Sequence, residues 1–254
     1  MRKKRTWVLP FLAGGLVLLC SGSIFAAEIA RSGPLKVSLL EVYSSEGCSS
    51  CPPADKWLGN LATSSRLWKE FVPVVFHVDY WDKLGWIDKF ARRDFSQRQY
   101  DYSDLWGGRS TVYTPGFVLD GLEWRGRWST ENFPSPPKKE AGVLTVEDLG
   151  EHLFHISFSK KNNYVPTYKL HAVLLGFEVK SFINKGENAG GHLEHHFLVL
   201  DDQIVPLKAV GGLDEYVANV MLESSVPSKR RAVAVWVEEG GEPTPIQAAG
   251  GYLP

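Results

Sequence analysis

The stretch Glu41-Val42-Tyr43-Ser44-Ser45-Glu46-Gly47-Cys48-Ser49-Ser50-Cys51-Pro52-Pro53-Ala54-Asp55 decides the reading of this chain. Val37, Leu39, Leu40, Val42 and Tyr43 form an apolar run that predicts a buried strand. A small polar loop follows, then two cysteines separated by Ser49 and Ser50. Pro52 and Pro53 are tolerated only in the first turn of a helix, where their missing N–H groups cost no intrahelical bond. Ala54, Trp57, Leu58 and Leu61 then recur at helical spacing. The order is strand, loop, dithiol, helix. A helix start favours thiolate over thiol, so Cys48 is the candidate attacking sulfur and Cys51 the resolving one. A structural disulfide and half of a zinc site are the competing readings. Zinc needs two more ligands, and no second cysteine pair exists.

The rest of the composition bounds the setting. Arg2, Lys3, Lys4 and Arg5 precede an apolar run from Trp7 to Cys20, and Ala26 and Ala27 offer a cleavage site. Residues 1–27 read as a signal peptide, which sends the protein to the periplasm or outside the cell. Removing it takes Cys20 and four of the 28 basic residues, leaving 24 against 29 acidic ones. No basic patch points to nucleic acid, and no stable membrane span is expected after cleavage. An oxidising compartment keeps a dithiol as a disulfide until a reductant arrives.

Val74-Val75-Phe76-His77-Val78 reads as a second buried strand, followed by a helix over 87–102 and a strand over 117–119. Asp120-Gly121 is a hairpin turn signal. This order, β-α-β-α-β-β with a dithiol after the first strand, resembles the thioredoxin fold. The resemblance implies a cis peptide at Thr114-Pro115 facing the dithiol, with the Thr114 backbone docking substrate. Glu41 to Asp55, His77-Val78-Asp79-Tyr80-Trp81-Asp82-Lys83-Leu84-Gly85-Trp86, Arg98-Gln99-Tyr100, Tyr113-Thr114-Pro115 and Gly186-Glu187-Asn188-Ala189-Gly190 with Leu193 and His195 are similar to one family of secreted bacterial thioredoxin-like proteins, whose shared domain has no assigned function. Three features depart from that pattern: Glu46 and Gly116 stand where the family usually has Gln, and three prolines in Ser129 to Glu140 occupy the place of a closing helix.

The expected fold is therefore α/β, a thioredoxin-like domain over 34–132, a linker over 133–144, and a smaller antiparallel β-sandwich over 145–254. Beside the dithiol, Glu41 is either a buried proton carrier for Cys51 or a salt-bridged carboxylate. Tyr80, Trp81, Trp86 and Gly116 are candidates for a substrate groove or for core packing. Asp79 and Asp82 are placed to support the site by hydrogen bonds, and His77 reads as a satisfied core histidine. His192, His195 and His196, with Glu187, form either a copper or zinc site or a solvated Gly-rich turn.

The leading expectation is an exported thiol–disulfide oxidoreductase that requires no organic cofactor or metal and exchanges with protein thiols or disulfides. A metal-binding protein and a non-catalytic module with a structural disulfide are the rivals. The leading reading demands that the sulfurs be reachable.

Overall fold

A computed structural model describes residues 26–108, 112–126, 128–129 and 133–254. The expected signal peptide over 1–27 lies almost wholly outside them. In chain order the strands begin with β1 (Ala27–Arg31) and β2 (Ser38–Ser44), which leads into helix α1 (Pro52–Leu61). Strand β3 (Phe71–His77), a 3-10 turn over Asp79–Leu84 and helix α2 (Arg93–Leu105) follow. Next come β4 (Gly116–Leu119), β5 (Leu122–Glu123), β6 (Val143–Asp148), β7 (Leu153–Ser159) and β8 (Tyr168–Phe177). The chain ends with β9 (Val179–Phe182), β10 (His192–His195), β11 (Leu198–Pro206), β12 (Lys208–Ala209), β13 (Glu215–Met221), β14 (Arg230–Glu239) and β15 (Pro245–Tyr252).

These strands overturn the expected α/β class. The fold is mostly β-sheet, with three helical segments among the described residues. An eight-stranded mixed sheet runs β15-β14-β8-β11-β3-β2-β4-β5, so strands from both halves of the chain share it. Strands β2 and β3 are parallel, and β11 joins β3 in parallel at Leu198 and Val75. The second half therefore does not close into a smaller sandwich of its own. Its remaining long strands enter a five-stranded antiparallel sheet, β1-β6-β7-β13-β12, which also recruits β1.

The reason lies in β8 and β14, which are buried on both faces. Leu170, Ala172 and Leu174 enter the core under the five-stranded sheet, whereas Val173, Leu175 and Phe177 enter the core shared with β2, β3 and α1. Val233, Val235 and Val237 of β14 likewise face one core and Ala232, Ala234 and Trp236 the other. A strand covered on both faces reads as a continuous apolar run, and periodicity alone does not separate it from a sandwich strand. The Asp120-Gly121 turn forms as expected, both residues at positive φ (51° and 84°), and Asp120 also accepts from Ser38 Oγ and the Leu39 N–H.

Candidate functional site: a covered disulfide

Strand β2 delivers the chain to a tight turn in which the Cys48 N–H donates to the Ser45 carbonyl and the Cys51 N–H to the Cys48 carbonyl. Cys51 is the N-cap of α1, with prolines in the first two helical positions. Those prolines carry no N–H, and the Ala54 and Asp55 N–H groups both donate to the Cys51 carbonyl. The helix thus offers the sulfurs its dipole rather than free donors. Cys48 and Cys51 form a disulfide with Cα atoms 5.5 Å apart. The Thr114–Pro115 peptide is cis, and the Thr114 carbonyl oxygen lies 3.6 Å from Cys48 Sγ. Ser50 Oγ sits 3.3 Å from the same sulfur and donates to the Thr114 carbonyl. Cys48 is 0% and Cys51 1% exposed, so the closed structure does not meet the expectation that the sulfurs be reachable, although Ser49 and Ser50 between them face solvent.

Beneath the turn lies a buried network of carboxylates and imidazoles. His195 stands between Asp55 (Nδ1 to Oδ2, 3.1 Å) and Glu46 (Nε2 to Oε1, 3.4 Å). The Glu46 N–H donates to Asp88, and Trp86 Nε1 donates to the Glu46 carboxylate at 2.7 Å. Asp88 in turn binds His77 Nδ1 at 2.7 Å, and the two imidazole rings meet edge to face, 4.9 Å between centroids. Burial alone lowers the His195 pKa, but its bonds to Asp55 and Glu46 outweigh that and push it up to about 9. Burial raises the Asp88 and Glu46 carboxyls, and the neighbouring histidines more than reverse it, taking Asp88 down to about 2 and Glu46 below its usual value. His195 is therefore an imidazolium at neutral pH, and it offsets the charge that Glu46 brings beside Cys48.

The cover comes from the second half of the chain. Asn188 Nδ2 donates to the carbonyls of Glu46 (2.8 Å) and Cys48 (3.0 Å), and the Ser49 N–H donates to Glu187 Oε2 at 3.2 Å.

The family described as protein of unknown function (DUF1223) matches residues 39–238, which spans both the dithiol turn and its cover. The chain belongs to that family. Among solved structures, a structural-genomics protein of Agrobacterium tumefaciens is 23% identical, with a TM-score of 0.54 over 85% of this chain and 94% of its own. HBP35 of Porphyromonas gingivalis is 13% identical, with a TM-score of 0.56 over 87% of this chain and 76% of its own. Both likenesses concern the fold. No curated protein matches.

In this DUF1223 member the other candidate residues separate into distinct places. Glu41 is fully buried and committed: Arg98 holds it through Nε (2.5 Å) and an η nitrogen (3.1 Å), and Tyr43 and Tyr102 donate to it. Arg98 also pairs with Glu238, whose carboxylate meets His171 at 2.9 Å. Burial raises the Glu238 carboxyl, but His171 and Arg98 reverse this and bring it to about 2. Asp79 exchanges hydrogen bonds with Ser96 across the start of the 3-10 turn, and Asp82 accepts from the Asp88 N–H. Tyr80 donates to Gln99 and is half-buried, and Trp81 packs on the core with its Cβ beside Gly47. A Cβ on Gly116 would lie 2.7 Å from both Gln99 Nε2 and the Tyr113 carbonyl, so that glycine is required by packing.

His192, His195 and His196 do not converge. His195 turns into the network, His192 lies on Phe182, and His196 meets Glu194. Among the described residues no group of three or more His, Cys, Asp or Glu side chains is arranged to hold a metal. Sequence reasoning missed Asp55, Asp88 and Asn188. Asp55 was legible as an acid in the first turn of α1, but Asn188 meets the dithiol only through the fold.

Proposed function

We propose that Cys48 and Cys51 are an exchangeable redox pair acting on protein thiols or disulfides in an exported compartment. The observation that carries this is the disulfide at the start of α1 with the Thr114 carbonyl beside Cys48 Sγ. In the reducing direction the Cys48 thiolate attacks a substrate disulfide, forming a mixed disulfide and releasing one substrate thiolate. Cys51, deprotonated, then attacks the Cys48 sulfur, releasing the second substrate thiolate and closing Cys48–Cys51. Two electrons pass to the substrate, and the same steps reversed oxidise a dithiol. When Cys48 is reduced, its S–H has both the Thr114 carbonyl and Ser50 Oγ within reach.

A second reading, a purely structural cross-link, draws on the burial of both cysteines. Turnover separates the two. The leading reading predicts reduction of insulin disulfides by the full chain in the presence of dithiothreitol, abolished by Cys48→Ser. Activity equal to that of dithiothreitol alone favours the cross-link.

A further inference from the structure

We propose that residues 186–190, the tip of the β9–β10 hairpin, are a latch that pins the dithiol turn and sets how fast its disulfide exchanges. The inference rests on the redox reading above.

A thiolate attacks a disulfide sulfur along the S–S axis, so a sulfur with no exposed surface exchanges only after something moves. The bonds that hold the turn are of two kinds. The Glu46 N–H to Asp88, the Gly47 N–H to Ser45 Oγ and the Cys48 N–H to the Ser45 carbonyl are buried or internal to the turn. The second kind reaches outside the turn: Ser50 Oγ donates to the Thr114 carbonyl, and the hairpin tip supplies the two from the Asn188 amide to the Glu46 and Cys48 carbonyls and the one from the Ser49 N–H to Glu187. Asn188 is half-buried and Glu187 is exposed, so water replaces these bonds readily when the tip lifts.

The hairpin is built to lift at one end. Its stem is fixed by the buried His195 pairs with Glu46 and Asp55. Its tip is tied to itself, by the Gly190 N–H to the Ile183 carbonyl, the Ile183 N–H to the Gly191 carbonyl and the Gly191 N–H to the Asn188 carbonyl. Gly186 (φ 76°) and Gly190 (φ 84°) bracket it in the left-handed region that glycine adopts without steric cost. The tip therefore moves as a unit, parting Gly186 from Gly85 and Trp86, on which it packs, while the stem holds. Lifting it leaves the Cys48 carbonyl with only the Cys51 N–H, a bond internal to the turn, and lets the turn carry Cys48 Sγ out from under Ser50 and Thr114. Asn188 is thus a positioning residue that acts on the sulfur through the backbone.

The test uses the full chain carrying Asn188→Ala, Asn188→Asp or Glu187→Ala. Reduction by excess dithiothreitol is followed by acid quench, alkylation and mass spectrometry, and near-ultraviolet circular dichroism reports the fold. Loss of two neutral hydrogen bonds from the closed state predicts about tenfold faster reduction for Asn188→Ala. Asn188→Asp, which sets a carboxylate against two carbonyls, is expected to be at least as fast, and Glu187→Ala about threefold faster than the parent. Hydrogen exchange at 46–50 rises in step. Folded variants that reduce within twofold of the parent rate overturn the latch. If neither Asn188 variant folds, Glu187→Ala decides alone on the same criterion. Faster reduction without insulin turnover in any form keeps the latch and rejects the oxidoreductase. Insulin turnover by the parent, with unchanged variants, rejects the latch and keeps the oxidoreductase.

Discussion

His195 gives the sharpest handle on how the two halves of the chain are joined at the dithiol. It is 1% exposed and sits between Glu46 and Asp55, with His77 and Phe90 against its ring. Its pKa rises from an ordinary 6.5 to about 9 in the folded protein. Folding therefore takes up a proton between those values. The stabilisation is fully present below pH 6.5 and is lost as the pH climbs through 9. The rise from 6.5 to about 9 corresponds to about 3 kcal/mol. Replacing His195 by Gln removes the pH-dependent contribution and strands Glu46 and Asp55, which at pH 6 costs about 3–5 kcal/mol. Urea unfolding of parent and His195→Gln at pH 6, 7.5 and 9 reads both effects. The parent loses stability across that range with a slope that the variant lacks. A parent equally stable at pH 6 and 9 refutes the imidazolium.

Other substitutions separate structural groups from the dithiol. Glu41→Gln leaves the Arg98 guanidinium underpaired beside Tyr102, so it is expected to lose about 3–5 kcal/mol in urea unfolding while dithiothreitol reduction of the native protein stays at the parent rate. A slowed exchange would instead make Glu41 a proton carrier for Cys51. Gly116→Ala forces a methyl to within 2.7 Å of Gln99 and the Tyr113 carbonyl, and is expected to cost about 1–3 kcal/mol by the same assay. Trp86→Phe deprives the buried Glu46 carboxylate of its indole donor and is expected to lose about 1–3 kcal/mol, with unfolding at an unchanged denaturant slope.

What the sequence showed and what it hid follow from range. The dithiol turn, helix α1 and the Asp120-Gly121 hairpin are set by neighbours within a few residues: prolines that tolerate only a first helical turn, and a Gly that accepts positive φ. The predicted helix over 87–102 is displaced to Arg93–Leu105 because Asp79–Leu84 forms a 3-10 turn and its following loop carries Asp88 into the network. The sheet was misread where strands bury both faces. Leu170 to Leu175 gives no alternation to assign, so its place inside an eight-stranded sheet, between β14 and β11, was invisible. The site was half legible for the same reason. Glu46 puts a negative charge two residues before Cys48, where it works against a thiolate, and His195, which neutralises it, arrives from 149 positions downstream. The histidine cluster misled in the opposite sense, since strand alternation in β10 sends His192 and His195 to opposite faces.

The most direct measurement for the central claim is the reduction potential of the Cys48–Cys51 couple, titrated in glutathione buffers and read by alkylation and mass. An exchangeable pair at a helix start is expected between about −120 and −270 mV. A value below about −300 mV would mark a structural bridge and contradict the redox account.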